Sequence, residues 1–230
     1  YPNMEGGDNT VAQANEIESL TYNRVFSGNG YADITFFPGL DFKTTIGVTN
    51  SSNTHPHFQS GLVGGSTANQ TYSSASIDQW NNTFWQWENH LTYNKVFNKV
   101  HTINVVVGTE RQNFSQLRSY GSTQDLSDNY YQYYNLGSGG IPGIPSSNYD
   151  AWQMQSFFGR INYNYKEKYL LTVTGREDGS SRFGTNAKYG FFPSAAIAWR
   201  VAEEEGLKNN KTISDLKLRL SYGLTGNSEI

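Results

Sequence analysis

Apolar side chains recur at every second position over much of this 230-residue chain, the period of a β-strand with one apolar and one polar face. The alternation is clearest near the end. In Leu216-Lys217-Leu218-Arg219-Leu220-Ser221-Tyr222-Gly223-Leu224 the even positions are apolar and the odd ones are Lys, Arg, Ser and Gly. The same logic sets Phe157, Gly159, Ile161, Tyr163 and Tyr165 against Phe158, Arg160, Asn162 and Asn164, and Tyr169, Leu171 and Val173 against Thr172, Thr174 and Arg176. It continues with Ala195, Ile197, Trp199 and Val201 against Ser194, Ala196, Ala198 and Arg200. Upstream, Trp85, Trp87, Leu91 and Tyr93 oppose Gln86, Glu88, His90 and Thr92, while Ile103, Val105 and Val107 oppose Thr102, Asn104 and Val106. With runs near 22–36 and 41–50, the pattern predicts about eight strands; residues 11–20 predict a short helical turn.

The links between these strands alternate in length. Tight turns are expected at Pro38-Gly39-Leu40, Phe97-Asn98-Lys99 and Lys166-Glu167-Lys168, and long links near 51–80 and 114–151, rich in Ser, Gly, Asn and Tyr. Short turns on one side and long loops on the other characterise transmembrane β-barrels. Two links depart from strict alternation: 178–190 is of moderate length, and 203–214 is longer than a tight turn, its Glu203, Glu204 and Glu205 reading as a solvated charge run.

Composition sharpens the choice. The chain carries 16 Tyr, 13 Phe and 5 Trp yet is only 36% hydrophobic, with a mean hydropathy of -0.62. Nothing approaches the roughly 18 to 20 apolar residues of a spanning helix, whereas barrel strands need only one apolar face. Tyr163, Tyr165 and Tyr169 flank one tight turn as an interfacial girdle would, with Phe191 and Trp85 expected near the opposite strand ends. The opposing face carries Arg160, Arg176, Arg200, Lys217 and Arg219. A dry core would not accept so many charges, so these five are the candidates for a wet, lumen-facing surface. A soluble β-sandwich with its polar faces outward fits the alternation as well. A net charge of -3 supplies no basic field for phosphate backbones and excludes nucleic acid as a partner.

Candidate chemistry is sparse. Cysteine is absent, which removes thiolate sites and Cys nucleophiles. His55-Pro56-His57 offers metal-compatible spacing without an evident third ligand and reads as loop surface. Glu177 and Asp178 are strand neighbours pointing apart, unlike a glycosidase pair. Gly137-Ser138-Gly139-Gly140 lacks the Gly-Lys-Ser/Thr ending of a phosphate loop. Trp80 and Trp85 are the candidates for stacking on sugar rings, although girdle or core packing accounts for them more simply. No catalytic set, metal site or cofactor is expected, and no signal peptide is visible after Tyr1-Pro2-Asn3. The chain reads as a non-enzymatic fragment of something longer.

One stretch is distinctive. Tyr169-Leu170-Leu171-Thr172-Val173-Thr174-Gly175-Arg176-Glu177 leads into Asp178-Gly179-Ser180-Ser181-Arg182-Phe183-Gly184, then Phe192-Pro193-Ser194 and Ala198-Trp199-Arg200, and later Ser221-Tyr222-Gly223 to Thr225-Gly226-Asn227. It strongly resembles the barrel of the SusC/RagA family of TonB-dependent outer-membrane transporters, specifically over about residues 155–230. The resemblance implies that residues 1–230 are part of an antiparallel transmembrane β-barrel, about eight of a probable 22 strands, in the bacterial outer membrane, with the plug domain and TonB box absent from this chain. It also implies TonB-energised uptake of oligosaccharides or peptides, with a SusD-like surface lipoprotein, the TonB complex and outer-membrane lipid as partners. The alternative is a soluble β-sandwich that binds carbohydrate.

Overall fold

The computed structural model describes residues 10–61, 72–184, 188–208 and 212–226. A short helix, α1 (Thr10–Glu16), precedes ten strands: β1 (Ile17–Ser19), β2 (Tyr22–Phe37), β3 (Leu40–Gln59), β4 (Ser74–Phe97), β5 (His101–Leu126), β6 (Gly139–Pro142), β7 (Ser146–Tyr165), β8 (Tyr169–Ser180), β9 (Tyr189–Arg200) and β10 (Lys217–Gly223). The ten form one sheet. Its path runs β1, β3, β4, β5, β7, β8, β9, β10, with β2 also paired to β3 and β6 to β5. The eight long strands are the eight expected from periodicity, and α1 is the expected helical turn. The two packed sheets of a sandwich do not occur among the described residues.

The turns follow the residues that build them. Pro38-Gly39 suits a type II turn, with Gly39 at φ 96, and a Cβ there would lie 2.4 Å from the Asn94 carbonyl oxygen. The next two turns are two-residue hairpins with both central residues left-handed, Asn98 and Lys99 at φ 48 and 60 and Lys166 and Glu167 at φ 54 and 57. Each is closed by an amide donating to a carbonyl, Val100 to Phe97 at 3.2 Å and Lys168 to Tyr165 at 3.0 Å. This handedness matches the twist of the flanking strands.

The structure corrects the link boundaries. β3 continues to Gln59, β4 already starts at Ser74, β5 runs to Leu126 and β7 starts at Ser146. Thus most of 51–59, 74–80, 114–126 and 146–151 is strand, and His55-Pro56-His57 lies inside β3 rather than on a loop. At 20 to 26 residues, β3, β4, β5 and β7 far exceed the roughly 9 to 11 residues that cross a bilayer. Where both faces of a strand meet water, the ladder persists while the apolar alternation that reveals it disappears. Trp85 therefore sits within β4 rather than near its end. The centre of the first long link (62–71), 185–187, 209–211 and the Asn227 end of the family pattern lie outside the described residues.

The chain divides into two compact units. One comprises residues 1–27, 49–83 and 115–151; the other comprises 28–48, 84–114 and 152–230. The first has a small core in which Phe58, Ala75, Leu126 and Tyr133 are buried and Leu20, Ile77 and Leu136 pack against them. The second leaves its apolar strand face bare: Val173 is 44% exposed, Ile197 56% and Leu220 70%. A continuous apolar surface of this kind requires a covering phase.

Candidate functional site

Strand register decides which side chains share a face. Arg160 lies opposite Thr174, and Arg176 opposite Phe158 on β7 and Phe192 on β9. Arg219 lies opposite Ala198 and Lys217 opposite Arg200. Because registered residues project to the same side, all five basic candidates occupy one face with Asn162, Thr172, Ser194 and Ser221. Leu171, Val173, Ile197 and Leu220 occupy the other.

Arg176 is the centre of that polar face. Its Nε donates to Asp178 Oδ1 at 2.6 Å, and its Nη2 donates to Glu110 Oε2 and Ser156 Oγ, both at 2.9 Å. Gln112 donates to the remaining Glu110 oxygen at 2.6 Å. The guanidinium also lies 5.8 Å from the Phe158 ring centroid. Gly108 makes room for that ring, since a Cβ there would stand 2.4 Å from Phe158 Cζ. One cation thus ties β5, β7 and β8 together. Glu110 escaped the sequence reading because the alternation was followed only to Val107; continuing the even positions along β5 would have reached it.

The expected signature loop clamps β7 part-way along the strand, at Gln153. Asp178 holds Arg176, and Ser181 exchanges two bonds with Gln153, its amide donating to the carbonyl at 3.0 Å and its hydroxyl accepting from the amide at 2.9 Å. Ser180 is buried and accepts from the Arg182 amide at 3.2 Å, while the Phe183 amide donates to the Ser180 carbonyl at 3.3 Å. Arg182 lies over the Trp152 ring at 5.3 Å. Trp152 in turn stacks on Phe114 at 5.8 Å and meets Phe84 at 6.3 Å. Gly179 leaves room for Tyr189, and Gly184 has open space around it. Phe192, Pro193 and Ser194 lie opposite Arg176, Gly175 and Thr174, and the Ser194 and Thr174 hydroxyls are hydrogen-bonded. Trp152, at the margin of the supposed long link, was missed.

The two sugar-stacking candidates are not brought together. Five residues apart on β4, Trp80 and Trp85 project to opposite sides of the strand. Trp80 lies under Arg118 at 4.9 Å, and Arg118 forms a two-pronged pair with Asp78 at 2.6 and 3.0 Å. Trp85 shares its side with Trp87, whose indole donates to Thr44 at 3.0 Å. His55 Nδ1 is 3.1 Å from the Thr21 hydroxyl, and no cluster suited to a metal occurs among the described residues.

At the turn end the expected solvated run is partly engaged. Glu203 pairs with Arg200 at 3.2 Å. Glu204 accepts from the Trp199 indole at 3.0 Å, the Tyr169 hydroxyl at 2.9 Å and Lys168 Nζ at 3.1 Å. Tyr169 also stacks on Tyr165, centroids 6.3 Å apart. These donors, the Trp199 indole foremost, hold the Glu204 carboxyl below its ordinary range. A depressed carboxyl contributes stability above its unfolded pKa, and the contribution is lost as pH falls through the lowered folded value. Acid titration of Trp199 fluorescence, read as the difference between the protein and its Glu204→Gln variant, is expected to change below the usual glutamate value of about 4.3. A midpoint at or above that value would contradict the hub.

These geometries meet known relatives. No protein-family model matches the chain. It is 37% identical over 225 residues, 97% of its length, to TonB-dependent receptor P3 of Formosa agariphila, and 30% identical over 212 residues, 89% of its length, to TonB-dependent receptor SusC of Bacteroides thetaiotaomicron. The fold superposes on the structure of the RagAB peptide transporter with a TM-score of 0.89 over 99% of the chain, at 22% identity. The chain belongs to the SusC/RagA family of TonB-dependent receptors. It spans 22% of the length of the Formosa relative, 20% of SusC and 26% of the RagAB chain. The sheet is accordingly a segment of transmembrane β-barrel in the outer membrane, and the exposed apolar face with Val173, Ile197 and Leu220 is the one suited to lipid. Tyr165, Tyr169 and Trp199 then stand at the turn-side boundary of the SusC/RagA-type barrel, where amphipathic rings collect.

Proposed function

We propose that the receptor to which this segment belongs imports oligosaccharides or peptides across the outer membrane, with energy supplied through TonB and ligand presented by a SusD-like lipoprotein. The observation that carries the reading is a charged face, centred on Arg176 and backed by an apolar membrane face, in a chain of this family. On this reading Arg160, Arg176, Arg200, Lys217 and Arg219 line the lumen. Residues 1–230 supply eight of about 22 strands, and the plug and TonB box lie elsewhere in the receptor. The polar face has no set of groups arranged for bond-making chemistry among the described residues; it offers hydrogen bonds and charge to a plug, to water and to a passing ligand.

The test is isolation of the receptor from native outer membranes by detergent phase partitioning, mass spectrometry of what copurifies, and uptake of labelled oligosaccharides and peptides by cells with and without TonB. Copurification of a lipoprotein and TonB-dependent uptake are expected. Recovery of a solitary protein, with cells that take up neither class of ligand, would contradict the reading.

A further inference from the structure

Glu110 and Asp178 turn to the polar side of the sheet, where Arg176 holds them at 2.9 and 2.6 Å. Their strand neighbours Arg111 and Gly179 therefore project to the apolar side. Ser156, also bonded to Arg176, sends Gln153 and Gln155 of β7 the same way. The amide chain from Asn162 through Asn104 to Asn94 keeps the even positions of β4 on the polar side, which leaves Trp85 on the apolar one. Tyr189 joins them there, since it is registered with Gly179 and its ring occupies the space a Cβ at Gly179 would take. Past Val173 and Phe191 the apolar side thus ends in a polar group with one guanidinium.

These residues frame a cavity of about 420 Å³, which lies wholly within the second compact unit. Lys188 also lines it, and its carbonyl accepts from the Ser180 amide at 3.0 Å. The bonds between Ser181 and Gln153 fix the β7 wall. Arg111 and Lys188 are exposed, and neither is paired with a carboxylate among the described residues. Glu177 projects to the same side, but it lies one register row nearer the apolar band, opposite Phe157 and Phe191, and does not line the cavity. Ten residues of β8 separate Tyr169, on the turn-side aromatic boundary, from Gly179. At about 3.3 Å per residue and a strand tilt of about 40°, that is a height of about 25 Å, the span of a barrel's apolar band between its two aromatic girdles. Tight turns face the periplasm in such barrels, so the cavity stands at the headgroups of the outer leaflet.

We propose that this cavity binds the phosphorylated sugar headgroup of an outer-leaflet glycolipid, an inference that rests on the apolar face being turned to lipid. Arg111 and Lys188 supply positive charge for a phosphate, and a guanidinium can meet two of its oxygens at once. Gln153 and Gln155 offer amide donors and acceptors to sugar hydroxyls. Trp85 and Tyr189 bring rings that are apolar in the body and polar at one end, as this level of a membrane favours. A zwitterionic headgroup would set its ammonium against two unpaired cations and is matched less well.

The test uses the full receptor, delipidated in detergent and titrated by native mass spectrometry with lipid A, with dephosphorylated lipid A and with inorganic phosphate as a competitor. Lipid A is expected to bind on the order of tenfold more tightly than its dephosphorylated form, and Arg111→Gln/Lys188→Gln to lose that difference. Arg111→Lys/Lys188→Arg should keep most of it, and heat-modifiable gel migration should report an intact barrel in every variant. Equal binding of the two lipids by the wild type, a preference that survives in the glutamine variant, or displacement of lipid A by an equal concentration of phosphate would overturn the site. Bromolipid quenching of a fluorophore on Val173→Cys separates the two levels. Quenching without a preference for lipid A removes the headgroup site and leaves the lipid-facing surface standing, whereas no quenching removes that surface and the site with it.

Discussion

Replacing Arg176 with Leu is expected to lower the stability of the assembled barrel by about 2 kcal/mol, placed between the cost of breaking a buried pair and the small value of an exposed one. Arg176 is partly open to solvent, but Glu110 and Asp178 are much less so, at 11% and 21% side-chain exposure. Removing the cation leaves two neighbouring carboxylates without the charge that neutralises them, Glu110 keeping only its bond from Gln112. The loss should be recovered in large part by Glu110→Gln/Asp178→Asn in the Arg176→Leu background, because the repulsion and the uncompensated charge go together. Urea unfolding followed by loss of heat-modifiable migration measures both steps. An Arg176→Leu receptor as stable as the wild type would show that the network contributes nothing to holding β5, β7 and β8.

A larger effect is expected on the opposite face. Val173 lies midway between the Tyr169/Trp199 boundary and Glu177/Phe191 at the other end of β8 and β9, and arginine near the middle of the hydrocarbon costs a barrel about 2 to 4 kcal/mol. Val173→Arg should therefore reduce stability by that order and deplete the receptor from the outer membrane. Thr172→Arg, one residue away, points to the polar face and forgoes only its bond from Thr172 Oγ1 to Asn162 at 2.9 Å. It should cost well under half as much. Quantitative immunoblots of membrane fractions, with unfolding midpoints, compare the pair; equal losses from the two substitutions would contradict the assignment of faces.

How much of this was readable from residue order follows from where water lies. Within the lipid band each strand must show apolar side chains to one side only, so Leu171, Val173, Ile197 and Leu220 announce their face. Beyond that band Asn50, Ser52, Asp78, Gln116 and Ser122 are strand residues with no obligation to alternate, and they resemble loop. Partnerships across the sheet leave a weaker trace still. Arg176 and Glu110 are 66 positions apart, and the guanidinium reaches Glu110 past β7, so only the register discloses the pair. The three bonds on Glu204 depend on a turn that returns the chain to Tyr169 and Trp199, and in sequence that glutamate looks like one of three solvated neighbours. The family signature was legible as a string of residues, but its physical work, bracing β7 through Ser181 and Arg182, emerges only from the fold.

The chain contains no cysteine, which makes single-cysteine labelling of the full receptor in a cysteine-free background the most direct measurement. Cysteines at positions 171, 173, 197 and 220 would each carry an environment-sensitive fluorophore, as would cysteines at 172, 196 and 221, in bilayers containing brominated lipids. Strong quenching at the first four and little at the last three is the predicted result, since it places one face of the sheet in lipid and the other in an aqueous lumen. Quenching on both faces, or on neither, would contradict a barrel wall with a wet interior.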